Sequence, residues 1–474
     1  MKKLESTLAL LIAAALGGCS LAPAYKAPAT PQAPAYRNVG PWVAAQPSDQ
    51  LPRDHWWQLY GDADLDRLQV KLLADNATLA AALAHYTQAQ AFSAQARSEL
   101  FPQIGAGATG TRQRQSRTAA TRDASAGDVY DNYSVGLQGS YEVDLWGSVR
   151  NTVTEGRDNA LAAKADLASA QLSLQAELAD SYMQLRGIDQ QMALLQQTIQ
   201  AYEKALKLTR TLHAGGIVSG LDVSRAQTQL SDARSQWSQS AAQRALIQDL
   251  IAVLVGENAS DFSLPTQTAA IPLPVVPVGV PSTLLQRRPD IAAAERRVAA
   301  DNAGIGVARA AWFPSLTLAA QGGFQSGGWA NLVTAPNRFW ALGPELALDV
   351  FDGGYRKATI EAAKAKMDEA GATYRGVVLG AFQQVQDNLA LLDHLGTAST
   401  NQQDASDAAQ HALALSMTQY KHGAVSYLDV VQAQTVALQE QRGLLQLNTQ
   451  RLRASVQLIR ALGGGWAAGQ LARE

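Results

Sequence analysis

Two periods divide this chain. From Tyr133 to Leu145 apolar and polar residues alternate: Tyr133, Val135, Leu137, Tyr141, Val143 and Leu145 fall on one face, and Ser134, Gln138, Ser140, Glu142 and Asp144 on the other. A period of two predicts a long strand with one apolar and one wet side. Farther on, Leu178, Leu185, Met192, Ile199 and Leu206 recur every seven residues. A second series, Leu167, Leu174, Ile188, Leu195 and Tyr202, runs beside them and is interrupted by Ser181. That is the a/d seam of a coiled coil. It predicts a helix over about 157–213, roughly 85 Å long at 1.5 Å per residue. Val431, Leu438, Leu445, Leu452 and Ile459 repeat the device near the C-terminus.

The pattern occurs twice. Leu100-Phe101-Pro102-Gln103-Ile104 returns as Trp312-Phe313-Pro314-Ser315-Leu316, and Glu142 to Gly147 as Ala347 to Gly353. Gly216-Ile217-Val218-Ser219-Gly220-Leu221-Asp222-Val223 returns as Gly423-Ala424-Val425-Ser426-Tyr427-Leu428-Asp429-Val430. Three motifs in one order at a nearly constant offset indicate duplication. Repeat 1 is expected over 61–256, with a β-hairpin at about 103–146 and a helical tip at about 214–222. Repeat 2 is expected over 289–463, with its hairpin at about 315–352 and its tip at about 421–429. A proline-rich connector, 257–288, joins them, and 464–474 is a tail.

Each repeat reads helix, strand, loop, strand, very long helix, turn, helix. The opening helices are predicted over Asp64–Ser98 and Pro289–Ala311, each stopped by Phe-Pro. The strands are predicted over Ile104–Arg114, Tyr133–Leu145, Leu316–Gln325 and Leu342–Phe351. In the last of these Leu342, Leu346, Leu348 and Val350 oppose Glu345 and Asp349.

The N-terminus changes the picture. Lys2 and Lys3 precede an apolar core, Leu8–Leu16, and then small residues, the layout of a secretory signal over 1–18. Leu16-Gly17-Gly18-Cys19 resembles a bacterial lipobox, which makes Cys19 a lipid attachment site and 19–60 a lipid-anchored extended segment. Cys19 is the only cysteine, so no intrachain disulfide can form. Beyond the signal no apolar run approaches the ~20 residues of a spanning helix. A crossing of the membrane would therefore be made by strands. Hydrocarbon demands a closed sheet, and membrane barrels need at least about eight strands. Two readings remain open: a soluble sheet covered by helices, or several copies pooling strands into one barrel. The 39 basic and 41 acidic residues nearly cancel, which gives no field favouring nucleic acid.

The lipobox, Trp56-Trp57, the paired Phe-Pro strand starts, Asp144-Leu145-Trp146-Gly147, Leu285 to Ile291, the paired Leu-Asp-Val turns and Ala461 to Trp466 together resemble the outer-membrane factor (TolC-like) family. The similarity is greatest to its lipoprotein branch, the OprM-like or NodT-type efflux outlets. The resemblance implies a mainly α chain with duplicated β-hairpins and long coiled-coil helices. It implies a homotrimer whose twelve-stranded outer-membrane β-barrel continues into a periplasmic α-helical barrel. The implied function is a passive efflux channel for small molecules such as drugs. A periplasmic adaptor (membrane fusion protein) and an inner-membrane pump of the resistance-nodulation-division type are its implied partners. Metal efflux, protein secretion and a lipid-tethered periplasmic scaffold are the alternatives.

Such a conduit needs a wet lining, a gate and a docking surface. Glu142, Asp144, Glu345 and Asp349 are the lumen-lining candidates, expected either to make the pore cation-preferring or only to hydrate a barrel end. Gly216 and Gly423 suit positive-φ turns. In the family this turn is the periplasmic tip, which makes Asp222, Asp429, Tyr427 and Gln432 gate candidates; Gln432 stands where an aspartate is common. Asp222 is expected to act locally at a helix start and Asp429 to do that and to serve the gate. Gly216, Ile217, Val218, Gly423, Ala424 and Val425 are the adaptor-docking candidates.

Other signals lead nowhere. Gly105-Ala106-Gly107-Ala108-Thr109-Gly110 spells G-x-G-x-x-G, yet it lies within a strand rather than between strand and helix. Six histidines show no metal-ligand spacing, and five methionines form no cluster of soft ligands for copper. No cofactor, metal or catalytic arrangement is expected, so the chain is read as no enzyme.

Overall fold

The structure is a computed structural model. It describes residues 20–29, 55–116, 129–274 and 288–464. In chain order the elements are α1 (Ala63–Asp75), α2 (Ala77–Ser98), β1 (Gln103–Arg114), β2 (Val129–Glu142), α3 (Ser148–Ala214) and α4 (Gly220–Leu254). After the connector come α5 (Pro289–Ala310), β3 (Ser315–Ser326), β4 (Arg338–Ala347), α6 (Tyr355–Lys421) and α7 (Tyr427–Ala461). The long helices match in pairs: α3 and α6 have 67 residues each, α4 and α7 have 35 each. Among the described residues no helix is long and apolar enough to cross a membrane.

The chain divides into two compact units. The first comprises Met1–Ala29, Tyr86–Ala163 and Ala293–Tyr374, and contains the sheet. All neighbouring strands are antiparallel in the order β1-β2-β3-β4, so β1 and β4 are the two edges. The helices of this unit pack on small side chains: α5 buries Ala293, Val298, Ala300, Ala303 and Ile305. Alanine permits close approach and favours helix.

The second unit comprises Thr30–His85, Lys164–Ala292 and Arg375–Glu474. Its larger core gathers Trp56, Trp57, Tyr60, Leu65 and Leu72 against Leu178, Tyr182, Leu185, Ile251, Val385, Leu389 and Ile459. The heptad seam holds over most of its length: Leu178, Ser181, Leu185, Ile188, Leu195, Ile199, Tyr202 and Leu206 are buried, whereas Leu167, Leu174 and Met192 are half-buried. In α7 it shifts. Val430, Gln434 and Ala437 are buried, whereas Val431, Leu438, Leu445 and Leu452 are half-buried.

The seam helix α3 begins at Ser148 rather than at about 157, and three further boundaries correct the sequence expectation. The single helix Asp64–Ser98 is broken at Asn76. Its backbone N–H closes α1 on Leu72, its Oδ1 accepts from the N–H of Leu79 in α2, and its Nδ2 donates to the Leu254 carbonyl. Second, β2 starts at Val129 and ends at Glu142, earlier at both ends than Tyr133–Leu145. Third, β4 is Arg338–Ala347 rather than Leu342–Phe351, which leaves Leu348, Asp349 and Val350 outside it.

An aspartate past each hairpin turns its backbone into a helix instead. Asp144 accepts from the N–H groups of Val149 and Arg150 and from the Arg150 side chain. Asp352 does the same for Gly354 and Arg356. Its Arg356 contact, reinforced by the two backbone N–H groups, holds the Asp352 carboxyl at about 2.

Candidate functional site

The sheet has two unlike faces, set by register. Glu142 pairs with Thr317, which pairs with Glu345, so both glutamates stand on one face in one row. Rows on that same face align Gln138 with Gln321 and Ser134 with Gln325. Ser134 also shares a hydrogen bond with Thr109 of β1. Gln103, Gln138, Ser140, Gln321 and Glu345 line a groove here. The opposite face carries Ile104, Val135, Leu137, Tyr141, Leu318, Trp340, Leu342 and Leu346. Val135 and Tyr141 are half-buried and the rest are not covered: Ile104 is 77% exposed, Leu342 74% and Trp340 80%.

Exposed apolar surface of this extent marks a surface meant for something other than water. The strands have 12, 14, 12 and 10 residues, enough for a tilted membrane strand of ~9–11 residues. The outer edges of β1 and β4 have no strand beside them among the described residues. A helix-covered sheet does not fit these faces.

Glu142 and Glu345 therefore stand together on the wet face of the sheet. Asp144 and Asp349 do not. Both fall beyond the strand ends, and Asp144 is engaged by the first turn of α3. Its counterpart in the second repeat is Asp352, which the sequence alignment of the repeats missed because spacing alone cannot show which aspartate caps.

Large aromatic and apolar side chains crowd the strand–helix junctions. Phe101, Trp312, Phe313, Phe351 and Tyr355 are exposed, and Trp146 stacks on Phe313 with centroids 4.5 Å apart. Trp146 Nε1 donates to the Pro314 carbonyl at 2.9 Å. Aromatic rings with polar edges suit the headgroup level of a bilayer. The sequence signal was the Phe-Pro pairs, which read only as helix stops.

The two helical turns are copies in geometry. Gly216 at φ 72° and Gly423 at φ 71° close α3 and α6. Ile217 N–H bonds the Leu212 carbonyl and Gly216 N–H that of His213. Ala424 and Gly423 repeat both bonds to Gln419 and Tyr420. This is the Schellman ending, which needs a left-handed residue. Each following helix opens with a capping box, Ser219 with Asp222 and Ser426 with Asp429.

Both aspartates make the local box expected of each at a helix start. They differ in surroundings, for Asp222 also pairs with Arg225 at 3.4 Å and is half-buried, while Asp429 is exposed. Tyr427, the third gate candidate, is turned into the helix core. It is 2% exposed and packs on Tyr420 in a core with Tyr202, Leu206, Leu230 and Val430. Burial, with Tyr420 adding to it, pushes its phenol up to about 12. Gln432 is exposed. Of the docking candidates, Ile217 is 71% exposed and Gly216, Gly423 and Ala424 are exposed. Val218 is half-buried and Val425 leans on the core. A cleft beside the first turn is lined by Lys207, Arg210, Arg234 and Glu203.

Sequence reasoning missed a buried ionic cluster. Asp189, wholly buried, accepts from Arg186 at 2.7 Å and Arg244 at 2.6 Å. The same two arginines donate to the carbonyls of Pro265 and Leu264, clamping the start of the connector. Cys19 lies outside the described residues, as do 275–287 and 465–474.

Comparison with known proteins agrees with this geometry. The model of the outer membrane efflux protein family matches residues 68–257 and 280–464. The outer membrane protein OprJ of Pseudomonas aeruginosa is 34% identical over 468 residues, covering 98% of this chain and 96% of that one. The antibiotic efflux pump outer membrane protein ArpC of Pseudomonas putida is 34% identical with the same coverage. Among solved structures, the outer-membrane channel OprN superposes with a TM-score of 0.87 at 29% identity, covering 94% of this chain and all of that one.

Proposed function

Because this chain belongs to the outer membrane efflux protein family, we propose that three copies pool their sheets into one twelve-stranded barrel serving a tripartite pump. The chain is an outer-membrane efflux channel that extends into the periplasm, and it works as a conduit, not an enzyme. The observation that carries the pooling of strands is the sheet itself: among the described residues it has four strands, two free edges, one apolar face and one wet face. The number three comes from the family resemblance, since two or four copies would also give barrels of known size. Lipid tolerates no open edge, and three copies supply twelve strands, within the range of membrane barrels.

The parts then take roles. The apolar face meets hydrocarbon, the junction aromatics meet headgroups, and Glu142 and Glu345 face the lumen. Their acidic row makes the pore prefer cations; reversal potentials in a salt gradient should lose that preference in Glu142→Gln with Glu345→Gln. Asp222, Asp429 and Gln432 form the gate region, while Tyr427 holds the helices behind it. Ile217, Gly216, Gly423, Ala424 and the exposed edges of Val218 and Val425 receive a periplasmic adaptor, which couples the channel to a resistance-nodulation-division pump. Cys19 carries the lipid. Small drugs are the proposed cargo, supported by the antibiotic efflux named for ArpC.

Planar-bilayer recording of the purified protein tests this reading. Discrete conductance steps are expected, larger and more frequent in Asp429→Ala if Asp429 helps hold the gate. A water-soluble protein with no conductance would refute the reading.

A further inference from the structure

Residues 20–29 form neither helix nor strand, yet Leu21, Pro23 and Tyr25 are held along one line of α5. Arg309 Nη1 donates to the Leu21 carbonyl at 3.0 Å, and Asn302 Nδ2 donates to the Pro23 carbonyl at 2.9 Å. The Tyr25 hydroxyl donates to the Glu295 carboxylate. The three residues on the segment are two apart; their partners on α5 are seven apart, hence on one helix face. Upstream, Ser20 Oγ donates to Asn151 Oδ1 at 2.8 Å, in the first turn of α3.

The helix surface is shaped for this path. A Cβ at Gly306 would lie 2.3 Å from Asn151 Nδ2 and 2.8 Å from the Ala22 Cβ. Glycine makes the notch through which the segment passes beside Asn151. The far end is anchored in an ionic cluster, where Arg296 pairs with both Glu295 and Asp158. Tyr25 is half-buried there, and burial followed by its Glu295 contact raises its phenol.

We infer that Ser20–Tyr25 is a docked strap that sets the height at which the lipid-bearing N-terminus leaves the protein, and that the surface it addresses is the lipid headgroup layer beside the junction aromatics. The inference rests on the lipid reading of Cys19. Asn151 follows Trp146 by five residues and Arg309 precedes Trp312 by three, so Ser20 and Leu21 sit within about two helical turns of the aromatic junction. Acyl chains leaving at Ser20 enter the bilayer at the level where the sheet enters it. Two attachments held at one level reinforce each other without a linker to span.

Lys26, exposed and immediately after the strap, supplies the test. Full-length protein in phosphatidylethanolamine–phosphatidylglycerol vesicles is treated with trypsin, and the N-terminal peptide ending at Lys26 is followed by mass spectrometry. A protease needs several residues of free extended chain, so release follows opening of the strap. Gly306→Val, and separately Arg309→Ala with Asn302→Ala, should speed release by roughly tenfold, as expected for losing hydrogen bonds of ordinary strength. The double variant keeps the glycine, and an unchanged trimer fraction reports that both fold. Equal release rates in all three proteins would overturn the strap. A released peptide without acyl mass would instead sink the lipid reading, whatever the rates. A spin label at Ala24→Cys, a lone free thiol once Cys19 is acylated, reads the height directly. It should be immobilised at headgroup depth in the otherwise native chain and mobile in Gly306→Val. A mobile label in both, or one far from the headgroups, would contradict the assignment.

Discussion

Helix α3 and the sheet carry equally rich apolar stripes and treat them in opposite ways. Leu178, Leu185 and Leu195 on α3 are completely buried, whereas Ile104, Leu342 and Leu346 on the sheet are 67–77% exposed. The helical stripe finds its partner within the chain; the sheet stripe has none there. A period of seven brings helices together around a seam, while a period of two across four strands makes a wall with a front and a back. The wall is finished only by lipid on one side, water on the other and further strands at its edges.

The sharpest break between the regions should come from buried charge. Asp189→Ala leaves Arg186 and Arg244 without their shared carboxylate, an expected loss of about 3–5 kcal/mol. It should register as a large fall in the denaturant midpoint of the helical signal. A change no larger than that of a surface substitution would mean that the cluster is wet.

Next comes the sheet. Leu342→Arg should lower folding stability in lipid vesicles by about 2–4 kcal/mol, while Gln321→Arg on the other face should change it by less than about 1 kcal/mol. Equal losses would erase the distinction between the faces. The two turns then offer an internal control. Ser219→Ala and Ser426→Ala each remove a capping box and should cost about 1 kcal/mol apiece. Clearly unequal costs in matched thermal melts would show that tip surroundings, rather than the shared box, set stability.

The smallest effect is acid-dependent. Asp352 is depressed in the folded state, so its contribution is present above its ordinary value near 3.8 and is lost as pH falls through about 2. Asp352→Asn should therefore separate from the native chain at neutral pH and converge with it between about pH 4 and 2. Curves that stay parallel throughout would leave the Arg356 clip without that role.

What the sequence showed and what it hid follow one physical line. Periodicity was legible: the faces of β2, most of the α3 seam and the two glycine turns lie where pattern put them. Chain ends were not. β2 stops at Glu142 because Asp144 is recruited to the α3 N–H groups, and only the folded backbone shows that competition. Tyr427 follows a turn serine and reads as an exposed tip residue, yet α4 and α6 residues close over it. Nothing in the sequence marked Arg186 and Asp189 for burial, because their third partner, Arg244, is 55 residues from Asp189 in the chain. The strap along α5 was invisible for the same reason, since Tyr25 and Glu295 are 270 residues apart.

The central claim is that one copy cannot complete the wall. Native mass spectrometry of the protein released from lipid in mild detergent tests it most directly. The account predicts a species of three chains carrying acyl groups, with dissociation to monomers abolishing conductance. A folded, detergent-free monomer with its sheet intact would contradict it.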